Sequence, residues 1–308
     1  MSSIAYVSDR ECLLHDMGAG HPECPARIQA VEDKLIALRL MDTLQRVAAP
    51  HAERDDLLRV HDARYVDAIE RSAPQSGLVH LDPDTAMNPH TLGAALRAAG
   101  AAVKATDLVI GGEAGAAFCN VRPPGHHAER RRAMGFCLFN NVAVAAARAL
   151  DHHGLQRVAI VDFDVHHGNG TEDIFRDEQR VMMVSTFQHP FYPFSGVEGR
   201  SERMVNIPLA AGAGGAEFRA AVTENWLPAL ERFRPEMIFV SAGFDAHRDD
   251  SMAMLRFTDE DYVWVTEKIT DAARAFAGGR IVSVLEGGYE LEALGRSAAA
   301  HVRVLQQA

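Results

Sequence analysis

Residues 157–170 read Arg-Val-Ala-Ile-Val-Asp-Phe-Asp-Val-His-His-Gly-Asn-Gly. The apolar run at 158–161 is of the kind that forms a buried strand, and everything after it is polar or glycine. Side chains alternate faces along a strand, so Asp162, Asp164 and His166 are expected to project the same way. Two carboxylates and an imidazole crowded in a buried place destabilise one another unless positive charge sits among them. A lone Asp-x-Asp at a strand end reads equally well as a helix cap or a solvent-facing turn. The His166-His167 pair and two glycines that follow shift the reading toward a metal site.

Three more stretches repeat the arrangement of an apolar run that ends in glycine and polar residues. Residues 115–121 lead into Arg122-Pro-Pro-Gly-His-His-Ala-Glu129, with Gly135-Phe136-Cys137 soon after. Residues 237–240 lead into Ser241-Ala-Gly-Phe-Asp245, and residues 280–284 into Leu285-Glu-Gly-Gly-Tyr289. Glycine-rich strand-to-helix turns are ordinary one at a time. Four of them fit an open α/β sheet whose ligands bind at the carboxyl ends of parallel strands. Helix-like segments at 25–39, 91–108, 139–152, 215–233, 259–276 and 290–306 alternate with the strand runs.

The chain resembles the zinc-dependent histone deacetylase superfamily, most closely its class II branch and the bacterial histone deacetylase-like amidohydrolases. The matching motifs are His21-Pro-Glu-Cys-Pro-Ala-Arg27, Arg122 to Ala128, Gly135-Phe-Cys-Leu-Phe-Asn140, Asp162 to Thr171, Ser241 to Asp245 and Glu286-Gly-Gly-Tyr289. They run in family order along nearly the whole chain. The resemblance implies the arginase/deacetylase fold, a three-layer α/β architecture with a central, mainly parallel sheet flanked by helices. One deacetylase domain is expected over 1–308.

Composition agrees. A chain of 308 residues with 47% hydrophobic content can build one sizeable core. Net charge is −11, from 31 basic and 42 acidic residues, and the only basic triplet, Arg130-Arg131-Arg132, reads as a solvated loop. A nucleic-acid partner is therefore not expected, nor a membrane, since no apolar stretch has spanning length. Cys12, Cys24, Cys119 and Cys137 lack Cys-x-x-Cys spacing, which fits reduced thiols in a cytoplasmic protein. Gly-x-Ser-x-Gly, Gly-x-Gly-x-x-Gly, P-loop and His-Glu-x-x-His patterns are absent, which removes the motif support for serine-hydrolase, dinucleotide, nucleotide and zincin chemistry.

Carried over by motif, the metal ligands are Asp164, His166 and Asp245. Three protein ligands leave a position for water and substrate, as catalytic sites do. Zinc is the family's ion, and the oxygen-rich set also suits Fe(II). The resemblance makes His127 the general base and His126 its electrostatic partner, with Asp162 on the other ring nitrogen of His126. Tyr289 is implied as donor to the tetrahedral oxyanion. Asn169 stands where class I relatives have aspartate; a neutral amide stabilises imidazolium less, so His127 is expected to be the less basic of the pair. The same resemblance implies a structural K⁺ site at Asp162, Asp164, His166 and Ser185, and a buried Arg27 near the floor. Gly135, Phe136 and Tyr192 are expected along a narrow tunnel for an acyl-lysine chain, with Asp82 or Asp84 at its rim.

The chain departs from the family at Phe187, where relatives usually have histidine, and at Phe194-Ser195-Gly196, which replaces a tighter turn. The reaction implied is removal of acetyl or other acyl groups from lysine or related amines; the departures bear on substrate. Polyamine-selective relatives place an acidic gatekeeper at the position aligned with Met252, and often carry a dimerising insertion for which this chain has little room. Both points favour acylated lysine over acetylpolyamine, and a complete ligand set with Tyr289 disfavours a non-catalytic acyl-lysine binder. The acyl group and the oligomeric state stay open.

Overall fold

The computed structural model describes residues 4–198 and 201–307. Its strands are β1 (Ile4–Ser8), β2 (Gln45–Ala48), β3 (Val79–His80), β4 (Ala86–Met87), β5 (Ala116–Cys119), β6 (Val158–Asp162), β7 (Val181–Gln188), β8 (Met204–Leu209), β9 (Met237–Ala242) and β10 (Ile281–Leu285). Eight of them form one sheet in the order β2-β1-β5-β10-β9-β6-β7-β8, with every neighbouring pair parallel. The pair β3–β4 is a small antiparallel hairpin apart from it.

The helices are α1 (Ala26–Ala37), α2 (Arg54–Leu58), α3 (Ala63–Ser72), α4 (Thr91–Ile110), α5 (Asn141–Asp151), α6 (Asn169–Phe175), α7 (Gly215–Ala221), α8 (Leu227–Phe233), α9 (Asp259–Phe276) and α10 (Leu291–Leu305). The expected helix at 215–233 is a single helical run interrupted by a π turn at Val222–Trp226. Among the described residues, no helix is long and apolar enough to cross a membrane.

The three layers follow from alternation along central strands that are buried on both faces. In β6, Val158 and Ile160 face the helices α4 and α5, whereas Ala159 and Val161 face α7 to α10. The same split divides Met237 and Phe239 from Ile238 and Val240 in β9, and Val282 and Val284 from Ile281 and Leu285 in β10. The alanine-rich faces of α4 and α5 let those two helices lie close together and on the sheet.

A βα crossover returns each parallel strand to the same direction, so all the strand ends that carry polar motifs open on one edge. In the centre of the sheet, β5, β10, β9 and β6 are consecutive neighbours, and their register aligns Asp162 with Ser241 of β9 and with Ser185 of β7. Topology thus gathers segments far apart in sequence, as the bonds from His126 to Glu286, 160 residues away, and from Arg27 to Gly288, 261 residues away, show.

Candidate metal centre and catalytic site

Strand β6 ends at Asp162, and there the alternation expected through His166 stops. The Asp162 carboxylate accepts the Asp164 N–H at 3.1 Å, and Asp164 in turn accepts the His166 N–H at 2.9 Å, so the chain folds into two successive Asx turns. Asp162 therefore points to the His126 ring, while Asp164 and His166 turn to Asp245, which leaves β9 beside them.

Asp164, His166 and Asp245 bring one ligand atom each to within 4.8 Å of one another, all buried. His166 Nδ1 lies 3.0 Å from Asp164 Oδ1 and 3.2 Å from Asp245 Oδ2. The outer oxygens are held by backbone: Gly287 N–H donates to Asp164 Oδ2 at 2.8 Å and Val165 N–H to Asp245 Oδ1 at 2.9 Å. A Cβ on Gly287 would collide with Oδ2 of both carboxylates, which is why the loop needs glycine there. Asp245 Oδ2 has no hydrogen-bond donor although it is fully buried. Burial and the Asp164 charge push Asp245 up to about 6. Burial opposes a charged His166, yet Asp164 and Asp245 outweigh it and push the ring up to about 9. A buried Asp/His/Asp set with a carboxylate oxygen that receives no hydrogen bond, whose nearest positive charge is a proton on the His166 ring that an ion would displace, fits a divalent cation.

The tandem histidines sit beside this cluster. His126 Nδ1 donates to Asp162 Oδ2 at 3.0 Å, and its Nε2 lies 3.8 Å from Asp164 Oδ1. Burial works against charge, but Asp164 and Asp162 together push His126 up to about 10. His127 behaves in the opposite way: burial, His126 and His166 hold its pKa well below the usual imidazole range. The order of basicity is the expected one, but burial and the neighbouring rings cause it, while the hydrogen bond to Asn169 raises His127. Asn169 donates its Nδ2 to Glu129 Oε1 at 2.8 Å, so its oxygen faces His127 Nδ1 at 2.7 Å. His127 must then carry its hydrogen on Nδ1, leaving the Nε2 lone pair free.

Two residues without an expected role, Glu286 and Phe191, join Tyr192 in holding these groups in place. Glu286 Oε2 accepts the N–H of Gly125 at 2.7 Å and of His126 at 3.1 Å, tying the histidine loop to the end of β10; burial pushes its carboxyl up to about 7. Phe191 stacks on His166 with centroids 5.4 Å apart and an interplanar angle of 21°. Tyr192 meets His127 edge-on at 5.2 Å. Glu286 belongs to a motif already quoted; Phe191 was signalled only by its aromatic neighbour.

Gly135 has φ +58 and abuts the His127 ring, where any Cβ would collide. The Phe136 ring lies 6.0 Å from that of Tyr289, edge to face. Tyr289 is half-buried, with Arg27 Cζ 4.9 Å from its ring centroid, and burial raises its phenol well above the ordinary value. Of the two rim candidates, Asp84 accepts the Gly135 N–H at 3.2 Å, whereas Asp82 spends one oxygen on closing its own turn through Asp84 and Thr85 N–H. Ser185 Oγ is buried without a partner next to Asp162. His167 stays out of the ligand set: its Nδ1 is hydrogen-bonded to Ser195 Oγ at 2.9 Å and its Nε2 lies 2.8 Å from Glu172 Oε2. Met252 is half-buried, its N–H on Asp250 at 2.9 Å.

Comparison with known proteins agrees with this geometry. Residues 21–305 match the histone deacetylase domain. The chain is 38% identical over 309 residues to a histone deacetylase-like amidohydrolase of Pseudomonas aeruginosa, covering 92% of this chain and 81% of that one. It is 39% identical over 307 residues to the chloroplastic histone deacetylase 14 of Arabidopsis thaliana, covering 92% and 73% respectively. The crystal structure of the HDA15 HD domain superposes with a TM-score of 0.92 at 34% identity, over 100% of this chain and 90% of that one.

Proposed function

Given that the chain belongs to the histone deacetylase family, we propose that it is a zinc-dependent amidohydrolase acting on acylated lysine side chains or related acylated amines, built as one deacetylase domain and working in the cytoplasm. The observation that carries this reading is the convergence of Asp164, His166 and Asp245, with Asp245 Oδ2 unpartnered, beside a histidine pair of opposite basicity. Those three residues would hold the ion, with Zn²⁺ first and Fe²⁺ also suited to the oxygen-rich set. When bound, it supplies Lewis acidity that polarises the acyl carbonyl and lowers the pKa of water.

The rest of the chemistry falls to the protein's own groups. His127, neutral and with Nε2 free, takes the proton from the attacking water and hands it to the leaving amine. His126, positive between Asp162 and Asp164, stays charged and stabilises developing negative charge. Tyr289 keeps its phenolic proton across the neutral range, because burial raises its pKa, and donates it as a hydrogen bond to the oxyanion. Phe136, Phe191 and Tyr192 shape a passage for an aliphatic chain, and Asp82 or Asp84, each with one oxygen already hydrogen-bonded, would meet a substrate backbone N–H at its rim. Ser185 Oγ, buried without a partner, supports a structural K⁺ beside Asp162.

Tyr289→Phe tests the reading directly. It keeps the ring and removes one oxyanion donor, so kcat for an acetyl-lysine peptide should fall about 10²–10³-fold. Binding of a hydroxamate, which chelates the ion itself, should change far less. A phenylalanine variant with near-wild-type kcat would reduce Tyr289 to a packing group.

A further inference from the structure

Tyr289 follows two glycines, and Gly288 has φ +122. Such a stretch does not fix the direction of the next side chain by itself. Upstream it is held by Asp164, through the Gly287 N–H at 2.8 Å, and by Arg27, whose Nε donates to the Gly288 carbonyl at 2.6 Å. Downstream, one carboxylate takes both free N–H groups: Asp250 Oδ2 accepts from Tyr289 at 2.6 Å and from Glu290 at 3.1 Å. Its other oxygen, Oδ1, accepts the Met252 N–H at 2.9 Å. Asp250 is 5% exposed, so its carboxylate depends on these three donors rather than on water.

The loop that presents Asp250 is itself rigid. It starts at Asp245 and is closed by backbone bonds from Phe257 N–H to Ala246 at 3.0 Å, from Arg248 N–H to Phe257 at 2.9 Å and from Asp250 N–H to His247 at 2.9 Å. The buried His247 Nε2 lies 3.4 Å from Asp259 Oδ1 at the start of α9. One loop thus carries Asp245 at one end and grips the tyrosine loop and Met252 at the other.

We infer that Asp250 is a positioning residue: it holds the backbone of Tyr289 so that the phenol stands at a set distance from the Asp164–His166–Asp245 cluster, and with its second oxygen it fixes Met252. The inference rests on the reading of Tyr289 as oxyanion donor. Asp250 touches no reacting atom and acts only through that hydroxyl. An error of about 1 Å in such a group can cost about 10²-fold in rate.

The test is a double-mutant cycle on the metal-loaded protein with an acetyl-lysine peptide. Asp250→Ala should lower kcat about 10²-fold while metal content and hydroxamate affinity stay near wild type. In the Tyr289→Phe background the same substitution should cost no more than about threefold, since the hydroxyl it positions is gone. Asp250→Asn should recover most of kcat, because an amide oxygen can replace Oδ2; its NH₂ cannot accept from Met252, so the remaining defect should fall on KM. Equal losses in both backgrounds would overturn the inference, as would near-wild-type kcat for Asp250→Ala. Should the alanine variant not fold, Asp250→Glu carries the same cycle: it keeps the charge and displaces the loop, and a kcat loss that persists undiminished without the Tyr289 hydroxyl would overturn it. A silent Tyr289→Phe, by contrast, would sink the oxyanion reading itself.

Discussion

Glu23 and Asp245 are both carboxylates shut off from solvent, and their surroundings differ in kind. Glu23 Oε1 accepts from Arg122 Nε at 2.6 Å and from Arg27 Nη1 at 3.1 Å; its Oε2 accepts from Arg122 Nη2 at 2.6 Å and lies 3.3 Å from His15 Nε2. The guanidinium of Arg122 goes on to the carbonyls of Cys12 and His15, and that of Arg27 to those of Gly288 and Glu286. Burial opposes ionisation there, but Arg122 and His15 hold Glu23 well below the ordinary carboxylate range. Around Asp245, burial and Asp164 win, and one oxygen has no donor. One cluster closes its charges with its own residues; the other closes only with something added. A closed cluster is architecture, and an open one is a site.

The largest effect should come from removing a ligand of the open cluster. Asp164→Ala or Asp245→Ala leaves two ligands, too few to hold the ion, so both stoichiometric metal binding and amide hydrolysis should be lost. Asp245→Ala should also keep the fold, because deleting that carboxylate relieves its repulsion with Asp164 in the metal-free cluster. Elemental analysis of the purified variant, read beside turnover, checks this. Metal retained with normal turnover in either variant would break the comparison at its first term.

Glu23→Gln tests the other cluster. The amide keeps the shape and removes the only negative charge between two buried arginines, which should destabilise the protein by about 3–5 kcal/mol. Metal content of the folded fraction should stay as in the wild type. Denaturant unfolding followed beside metal analysis reads both quantities. A Glu23→Gln protein that keeps its stability but loses its metal would erase the distinction between the clusters.

The open cluster was far more legible in the sequence than the closed one, for a physical reason. Asp164, His166, Asp245, His126, His127 and Tyr289 fall at the ends of apolar runs, and a parallel sheet brings such ends to one edge whatever the details. Glu23 also sits in a quoted motif, but its partners Arg122 and Arg27 gain meaning only once α1 is docked against the β5 loop. Asp250 and Glu286 work through backbone N–H groups of distant loops, for which no spacing rule exists. Strands β6, β9, β5 and β10 announced themselves as apolar runs, whereas β2 at the sheet edge, Gln45–Ala48, has two polar residues followed by two apolar ones and gives too short a signal. The i, i+2 spacing of Asp162, Asp164 and His166 suggested one face of a strand; the Asx turns that replace the strand put Asp162 behind His126 instead.

Removing the metal should separate the clusters by pH. In the metal-free protein Asp245 is raised from 3.8 to about 6 and His166 from 6.5 to about 9. Between each pair of values the folded state binds a proton that the unfolded chain does not, so metal-free stability should fall as pH rises through both windows. A bound ion replaces those protons, and apparent metal affinity should rise by about tenfold per pH unit for each proton displaced. Glu23 is depressed, so its contribution is already complete above 4.5 and disappears only as pH falls through its lower folded value. The gap in Tm between loaded and stripped protein should therefore widen steadily from about pH 5 to about pH 9. A gap that is constant over that range would mean that the ion displaces no proton from these ligands.

The smallest effect is expected at Met252, which hangs from Asp250 and shares its loop with the open cluster. An apolar side chain there offers nothing to a second ammonium group, and desolvating that cation without a partner is unfavourable. An acyl-lysine chain carries no such charge, so the thioether can pack along it. The wild type should therefore hydrolyse acetyl-lysine peptides in preference to N-acetylated polyamines. Met252→Glu adds one carboxylate at a half-exposed position, where a pair is worth about 1 kcal/mol at most. The ratio of kcat/KM should then move toward polyamines by less than about tenfold, since 1.4 kcal/mol corresponds to about a factor of ten. The variant's metal content should not change, because Met252 lies outside the ligand set. Competition between an acetyl-lysine peptide and an acetylated polyamine in one reaction measures the ratio directly. If the wild type already prefers the polyamine over every acyl-lysine peptide tried, Met252 is not the gatekeeper and the substrate is an acetylpolyamine.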